Sequence, residues 1–205
     1  MLVYNKPMNT TFSLGTSTVP CGQRGEWTLE EFDISESEAK LNNMRCEWNR
    51  QRMFMVNPGR YKRLLHRRRG AVMSNTSMEI NSNRQALREA TGHVLINGLG
   101  MGMLLEAILQ KPEVLSVRVV ETDADVIALV GPHFASDPRV TIVQADAFDY
   151  KLARGERYDF VWHDIWDDIT ADNLEPMKRL VRKYARRATK QGVWSRDILR
   201  ALGMR

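Results

Sequence analysis

The chain has 205 residues, of which 43% are hydrophobic and 27% charged, and it carries a formal net charge of +5. This length suits one well-packed domain with an extension and disfavours an enzyme of two full domains. The sequence has no apolar run near the ~20 residues that cross a bilayer, and its first residues lack the layout of a signal peptide. We therefore expect a soluble cytoplasmic protein with no membrane partner.

Residue types that bind metals are few and scattered. Cys21 and Cys46 are the two cysteines, too far apart for a Cys-x-x-Cys pair and too few for a disulfide framework. The four histidines show no His-x-His or His-Glu-x-x-His spacing. We expect reduced thiols and no metal site.

Two clusters of basic residues flank an acidic stretch from Glu121 to Asp172. The first cluster comprises Arg60, Lys62, Arg63, Arg67, Arg68 and Arg69, and the second comprises Lys178, Arg179, Arg182, Lys183, Arg186, Arg187 and Lys190. Both clusters could contact nucleic-acid phosphates or form solvated surface. The acidic stretch favours a cationic small ligand, so nucleic acid stays open as a partner but is not favoured.

Three segments are expected along the chain. Residues 1–27, rich in Thr, Ser, Asn, Gly and Pro, are predicted to form an extended or flexible arm. Residues 28–90 are predicted to form an extension with a helix and a β-hairpin. Residues 91–205 are predicted to form an α/β domain, because apolar runs alternate there with helical patterns.

The extension contains two spacings typical of a capping box, Thr28 with Glu31 and Ser35 with Glu38. Apolar residues then recur at helical intervals. The predicted elements are one helix over about residues 36–54, a hairpin of residues 61–65 and 71–74, and a short helix over residues 83–89.

The α/β segment shows four short apolar runs, three of them separated by helical patterns. The predicted strands cover residues 94–96, 117–120, 140–143 and 158–163, and the predicted helices cover residues 102–110, 124–130 and 172–187. Continuous apolar strands that alternate with helices indicate a parallel sheet that is covered on both faces. The predicted fold class is α/β with a Rossmann-like parallel sheet.

A glycine turn follows the first of these strands. Gly98, Gly100 and Gly102 lie between a strand and a helix, where ligands meet the carboxyl ends of parallel strands. Glycine allows positive φ and a close approach of the backbone to a ligand. Met103 stands where a third glycine of Gly-x-Gly-x-x-Gly would be, so a mononucleoside-like cofactor is favoured over a dinucleotide.

Carboxylates end the next two strands. Glu121 lies 19 residues after Gly102, where an acid can accept hydrogen bonds from both hydroxyls of a ribose. Asp146, with Ala147 beside it, follows the third strand and is a candidate to hold an adenine amino group. Three such features at three successive strand ends predict one cofactor site.

The fourth strand leads into two further acids. Asp164 and Asp167 are the candidate catalytic residues, because a carboxylate could orient a nucleophile and accept its proton. Asp167 could instead cap the final helix. Alternation along the strand directs His163 away from Asp164, so we expect a structural histidine there.

These residues resemble the class I S-adenosylmethionine-dependent methyltransferases, and within them the spermidine synthase-like branch. The matching segments are Val94 to Leu105, Val119 to Asp123, Val143 to Ala147 and Tyr158 to Asp167, and the Asp164-Ile165-Trp166-Asp167 spacing is similar to the Asp-x-x-Asp of that branch. The hairpin segment with Met73-Ser74 and Met78-Glu79 is similar to the entry segment of that branch. The resemblance implies S-adenosylmethionine as cofactor, bound by Gly98, Gly100, Glu121 and Asp146.

Three departures from that branch stand out. The glycine turn is Gly-Leu-Gly-Met-Gly rather than Gly-Gly-Gly-Asp-Gly-Gly, and the loop after Asp-x-x-Asp has no clear counterpart. Residues 188–205 are too few for the fifth strand, helix and terminal hairpin of a complete methyltransferase sheet. We expect a sheet truncated at its C-terminal edge, covered by a homodimer or by the N-terminal segment, with Trp194 as the covering contact.

The leading hypothesis is a methyltransferase that acts on a small-molecule acceptor. Aminopropyl transfer from the decarboxylated cofactor is favoured by Asp-x-x-Asp and disfavoured by the altered glycine turn. A nucleic-acid methyltransferase lacks the Asp-Pro-Pro-Tyr or Asn-Pro-Pro-Tyr signature. A non-catalytic binding or assembly protein is the remaining alternative, but it would not require Glu121, Asp146 and Asp164 together.

Overall fold

Two β-sheets with different strand directions make up the protein. The computed structural model describes residues 17–201 and residue 203. The N-terminal sheet is antiparallel, with the order β1-β2-β3-β4. Its strands are β1 (Gly22–Arg24), β2 (Trp27–Ile34), β3 (Gly59–His66) and β4 (Gly70–Ser74). The predicted hairpin is confirmed as β3 and β4, and the described end of the predicted arm contains β1.

One of the two capping-box spacings begins a helix and the other does not. Ser35 and Glu38 form a capping box at the start of α1 (Glu36–Trp48). Thr28 and Glu31 lie within β2 instead, because the alternating burial that starts at Trp27 commits this stretch to a strand. Helix α1 ends before residue 54, since Arg50 adopts a positive φ of 56° and residues 52–54 form a separate 3₁₀ turn.

Two short helices lead to the second sheet, which is parallel and has the order β7-β6-β5-β8-β9. The short helices are α2 (Ser77–Ser82) and α3 (Arg84–Glu89), and the strands are β5 (Gly92–Asn97), β6 (Val114–Glu121), β7 (Val140–Gln144), β8 (Tyr158–His163) and β9 (Ala188–Val193). The helices that accompany them are α4 (Met103–Leu109), α5 (Ala124–Val130), α6 (Leu174–Tyr184) and α7 (Arg196–Ala201). This α/β arrangement confirms the predicted fold class.

The chain adds strands on one side of β5 first and then on the other side. From β5 the chain builds β6 and β7 on one side and then β8 and β9 on the other, which opens a crevice at the carboxyl end of β5. The Gly98 N–H donates to the Val120 carbonyl at 2.8 Å, and the Asp164 N–H donates to the Asn97 carbonyl at 2.8 Å. The ends of β6 and β8 are therefore fixed on both sides of the glycine turn.

The C-terminal edge of the sheet holds a fifth strand. β9 pairs in parallel with β8, and α7 follows it, but no hairpin strand is added in the part of the chain that the structure describes. The expectation that residues 188–205 are too few for a fifth strand and the helix after it is therefore wrong. Trp194 is 3% exposed and packs inward against α2, so the prediction that it covers the sheet edge is wrong.

Candidate functional site

A cavity of about 250 Å³ lies where the antiparallel sheet meets the carboxyl ends of β5, β6 and β8. Its acidic lining residues are Glu79, Glu121, Asp123, Asp146, Asp164 and Asp167. Arg69 is the one cationic side chain among the described lining residues. This excess of acids favours a ligand with positive charge.

The glycine turn forms part of the cavity wall. Gly98 and Gly100 have φ angles of +100° and +52°, which disfavour any residue with a side chain. A Cβ on Gly98 would collide with the backbone oxygen of Asp164, and one on Gly100 would collide with the Met73 sulfur. Gly102 does not line the cavity: it gives room to the ring of Phe134, at 2.7 Å from the position of a Cβ.

Glu121 ties the glycine turn to the end of β6. Its two carboxylate oxygens accept from the Leu99 N–H at 2.8 Å and from the Asp123 N–H at 2.9 Å. Glu121 is 9% exposed and lines the cavity. Each carboxylate oxygen has a second lone pair, so the group can still accept bonds from a pair of hydroxyls.

Asp146 and Ala147 lie at the other end of the cavity. One oxygen of Asp146 accepts from the Phe148 N–H at 2.7 Å, and the side chain is otherwise exposed. Ala147 is buried beside it. The Lys183 ammonium donates to the carbonyls of Ala147 and Phe148 at 2.8 and 2.9 Å, so α6 holds this loop in place.

Asp164 faces a second acid, Glu79, that sequence reasoning did not identify as a site residue. Burial raises the pKa of Asp164 well above its usual value, the charge of Glu79 raises it further, and the nearby Trp162 indole N–H lowers it only in part. Burial likewise raises the pKa of Glu79 to about 7, although Trp194 and Ser82 donate to its carboxylate. The pKa of Glu79 therefore lies near neutral pH, and that of Asp164 lies well above its usual value.

Asp167 contacts the turn between β3 and β4, on the side of the cavity that the antiparallel sheet forms. Its carboxylate pairs with the Arg69 guanidinium at 2.8 Å, and that guanidinium also lies over the ring of Trp27, 4.9 Å from its centroid. The Trp27 indole N–H donates to Asp123 at 2.8 Å. Asp167 does not cap α6, whose N-cap residue is Asn173. Of the two predicted catalytic acids, Asp164 alone has an unpaired carboxylate on the cavity.

His163 is the structural histidine that the sequence predicts. It is fully buried, and its ring nitrogens contact the Asn97 amide nitrogen at 2.8 Å and the Gln191 side-chain oxygen at 3.2 Å. Burial lowers the pKa of His163 to about 4; the hydrogen bond that the Gln191 side-chain oxygen accepts opposes this decrease, and the charge of Lys183 adds to it. The ring is therefore neutral at physiological pH.

The first basic cluster is largely neutralised within the protein. Arg60 pairs with Asp33 at 2.9 Å and Arg63 with Glu30 at 2.6 Å. Arg67 and Arg68 both contact Glu26, at 3.0 and 3.3 Å. In the second cluster Lys178 pairs with Glu175, Arg179 lies over the Phe148 ring and Lys183 holds the loop after Asp146. These pairs leave less free positive charge for phosphates than the sequence alone indicates.

Within residues 17–201, no helix combines the length and apolar content needed to cross a membrane. The same residues contain no group of three or more His, Cys, Asp or Glu side chains that could hold a metal ion.

Several curated relatives match part of the chain, and no family model matches it. Polyamine aminopropyltransferase 2 of Caldanaerobacter subterraneus subsp. tengcongensis is 33% identical over 106 residues, which cover 47% of this chain and 36% of that protein. Polyamine aminopropyltransferase 2 of Ralstonia nicotianae is 34% identical over 83 residues, which cover 36% of this chain and 16% of that protein. The chain thus spans about a third or less of the length of these relatives.

Solved structures show weaker likenesses. The spermidine synthase of Thermotoga maritima is 23% identical, with a TM-score of 0.38 over 56% of this chain and 45% of that one. The N-methyltransferase NodS of Bradyrhizobium japonicum, in complex with S-adenosyl-L-homocysteine, is 13% identical, with a TM-score of 0.42 over 54% of each chain. The resemblance that the sequence predicts is confirmed: the chain is similar to class I S-adenosylmethionine-dependent methyltransferases and, within them, to the spermidine synthase-like branch.

Proposed function

We propose that the cavity binds S-adenosylmethionine and that the protein transfers the methyl group of this cofactor to a small-molecule acceptor. One observation carries the proposal: Glu121, Asp146 and Asp164 follow three strands of one sheet and line a single cavity around the Gly98–Gly100 turn. The three acids come from separate parts of the sequence, and a purely structural role would not require all of them at one cavity.

The residues present fit such a cofactor. Glu121 has free lone pairs for the two ribose hydroxyls, and Asp146 has a free oxygen for the amino group of the base, with the buried Ala147 beside it. The turn at Gly98 and Gly100 lets the ligand approach the backbone closely. When bound, S-adenosylmethionine supplies a carbon on a positively charged sulfur, and the acidic lining of the cavity stabilises that charge.

The side chains of the protein then position the acceptor. The carboxyl group of Asp164 opens on the cavity. No described residue donates a hydrogen bond of normal geometry to this carboxyl group, so Asp164 is free to orient a nucleophile. Trp27 and Met73, from the antiparallel sheet, also line the cavity, and the Met73 sulfur lies against Gly100. Holding the two reactants in line is the main contribution that a site of this kind makes to the rate.

Aminopropyl transfer from decarboxylated S-adenosylmethionine is the second candidate. It is supported by the similarity to polyamine aminopropyltransferases and by the additional acid Glu79 next to Asp164. The altered glycine turn argues against it. A nucleic-acid methyltransferase is disfavoured by the internal pairing of the first basic cluster, and a non-catalytic assembly protein by the retention of the three acids.

We also retain the proposal of a cytoplasmic homodimer. The outer edge of β9 is unpaired within the described residues, and α1 exposes Leu41, Met44 and Trp48 at helical spacing. Their side chains are 51%, 59% and 89% exposed. A mass measurement in solution that returns a single chain at micromolar concentration would exclude the dimer.

Calorimetric titration with S-adenosylmethionine and with its decarboxylated form tests the cofactor site. We expect micromolar binding that falls at least tenfold in Asp146→Ala and in Glu121→Gln, the latter because an amide cannot accept at both of its terminal atoms. Asp149→Ala is the matched control, since Asp149 is exposed on the same loop and does not line the cavity. The preferred form decides between methyl and aminopropyl transfer, and a lack of binding by both forms would overturn the proposed function.

A further inference from the structure

A positively charged surface lies outside the cavity, on α6 and on the loop that precedes β8. It is formed by residues 151–157 and by residues 178–187. These two segments contain nine Lys and Arg residues and one acid, whereas the whole chain has a net charge of +5. The excess of positive charge in this protein is therefore concentrated here rather than spread over its surface.

Hydrogen bonds hold the two segments against each other. The Arg187 guanidinium donates to the carbonyls of Ala153 and Glu156, at 3.4 and 3.2 Å. The Arg187 carbonyl accepts from the Tyr158 N–H at 2.7 Å. The cations of the loop therefore lie beside those at the carboxyl end of α6, on one continuous surface.

Glu156, the acid within the two segments, is occupied inside the protein. Its Oε1 accepts from the Arg118 guanidinium at 2.6 Å and from the Tyr158 hydroxyl, and its Oε2 accepts from the Ala153 N–H at 2.7 Å. Glu156 thus neutralises a cation of β6. It forms no ion pair with the cations of its own loop.

Five exposed cations of this surface form no ion pair with another described residue. They are Lys151, Arg154, Arg157, Arg182 and Arg186, and we call them the basic surface. The acid on α6, Glu175, pairs with Lys178 at 2.8 Å, which lowers the pKa of Glu175, and the charge of Arg182 adds a smaller decrease. Like charges that lie close together repel, so a bound polyanion would stabilise them.

The spacing of the arginines on α6 fits a row of phosphates. Arg179, Arg182 and Arg186 follow one another at intervals of three and four residues, and Ala185 before Arg186 keeps helical backbone angles, so the three share one helix face. At a rise of about 1.5 Å per residue they span about 10 Å. One strand of a duplex presents about three phosphates over that length.

The residue types of the basic surface also favour phosphates. Four of the five cations are arginines, and a guanidinium group can donate to two oxygens of one phosphate at once. The five cations come from a helix and a loop that are fixed to each other through Arg187. Such a fixed arrangement suits a rigid polyanion better than a flexible one.

Other polyanions need features that this surface lacks. Proteins bind single strands with aromatic rings that stack on the bases. Here Arg179 covers the ring of Phe148, and the hydroxyls of Tyr150 and Tyr158 bond to Arg118 and Glu156. Binding to a lipid surface needs apolar side chains that enter it, and the exposed large hydrophobic residues of the described chain all lie outside the two segments.

We propose that the basic surface binds the phosphate backbone of a nucleic-acid duplex without reading its sequence. The proposal goes beyond the proposed function and does not depend on it, because none of the five cations lines the cavity. Contacts to phosphates position a protein on a duplex but carry no sequence information. Each contact releases a counterion condensed on the duplex, so the affinity should fall steeply with salt.

Fluorescence anisotropy with the full chain tests the basic surface. The probes are labelled DNA and RNA duplexes of about 20 base pairs, in two unrelated sequences each, at about 50 to 200 mM potassium chloride. Five phosphate contacts predict a slope of about −4.5 for the logarithm of affinity against that of salt, which is a loss of about 500-fold over this range. We expect both sequences to bind alike, and the tighter of the DNA and RNA duplexes identifies the nucleic acid.

Two double variants locate the contact. We expect Arg182→Gln with Arg186→Gln, and Arg154→Gln with Arg157→Gln, each to make the slope shallower by about 2 and to weaken binding at low salt about tenfold or more.

The matched control is Arg67→Gln with Arg68→Gln, which makes the same change of charge at exposed side chains that pair with Glu26. We expect this control to leave affinity and slope nearly unchanged. Thermal unfolding of each variant checks that the fold is kept.

The outcomes either support the basic surface or overturn it. Equal weakening in the control shows that binding follows net charge alone, and this overturns the proposal. So does a failure of both duplexes to bind at about 50 mM salt, or tighter binding of a single strand of the same length. Binding of phosphatidylserine vesicles through the same arginines, without binding of a duplex, overturns it as well. Duplex binding without cofactor binding leaves this proposal standing and removes the proposed function.

Discussion

Replacement of Gly98 by alanine tests how closely the glycine turn and the end of β8 depend on each other. Gly98 has a φ of +100°, and a Cβ there would collide with the backbone oxygen of Asp164. Gly155 has a φ of +82°, with no heavy atom within 4 Å of the position of a Cβ. The two glycines therefore share the backbone penalty and differ in the collision.

The magnitude follows from these two contributions. A side chain at positive φ costs about 1–2 kcal/mol of unfolding free energy at either position. Overpacking against a fixed neighbour costs about 1–3 kcal/mol more, and it applies to Gly98→Ala alone because backbone cannot rotate away as a side chain can. We expect Gly155→Ala to lose about 1–2 kcal/mol and Gly98→Ala about 2–5 kcal/mol.

Urea unfolding followed by tryptophan fluorescence measures both variants. Cofactor titration on the same samples shows whether the shift at Asp164 also weakens binding, which we expect for Gly98→Ala alone. Equal losses of stability in the two variants, with equal affinity for the cofactor, would refute the close approach between the turn and Asp164.

Three further changes give distinct results. In Arg69→Gln the loss of an ion pair whose side chains are 48% and 36% exposed should change unfolding free energy by about 0–1 kcal/mol, while binding of S-adenosylmethionine at low salt, measured by calorimetry, should strengthen because the cavity loses its cation. In Trp194→Phe the lost N–H bond should raise the pKa of Glu79 above about 7, which NMR titration of the labelled carboxyl carbon would show, and stability should fall by about 1–2 kcal/mol. Burial lowers the pKa of His163 from 6.5 to about 4, so the unfolded chain binds the proton more readily and stability should fall by up to roughly 3 kcal/mol as pH drops from 6.5 to 4. Urea unfolding across this range should show a smaller fall for His163→Asn.

The strand ends were predictable because the parallel sheet has a strong local signal. Apolar runs such as Val94 to Ile96 are buried on both faces, and each is followed at once by a polar residue or a glycine. The carboxyl ends of parallel strands meet at one edge, so the sequence order alone places Glu121, Asp146 and Asp164 around the turn. The structure adds the hydrogen bonds from the Leu99 and Asp123 N–H groups that hold Glu121 in place.

The N-terminal half was harder to predict because its signals compete. Thr28 and Glu31 have the spacing of a capping box. The alternation of buried and more exposed residues along β2, and the pairing of β2 with β3, favour a strand there more strongly than these two residues favour a helix. Helix α1 ends near Arg50, which adopts a positive φ. Arginine has no preference for positive φ, so the sequence does not mark this position as a helix end. In both places tertiary structure overrides a local pattern.

The partners across the cavity were not accessible from the sequence. Glu79 lies on a helix of six residues, too short for periodicity to mark it as buried. The pairing of Arg69 with Asp167 joins residues 98 positions apart, one in the turn between β3 and β4 and the other in the loop after β8. No spacing rule connects such residues, so their roles follow only from the way the two sheets meet.

The cavity takes its floor from one sheet and its roof from the other. Trp27 and Met73 belong to β2 and β4, whereas Glu121 ends β6 and Asp164 follows β8. A ligand that contacts both sheets stabilises the contact between them. At a free ligand concentration 100 times the dissociation constant, binding opposes the separation of the sheets by about 2.7 kcal/mol. Amide hydrogen exchange in β2, β3 and β4 should then slow on binding by up to about a hundredfold, including at residues of these strands that do not line the cavity.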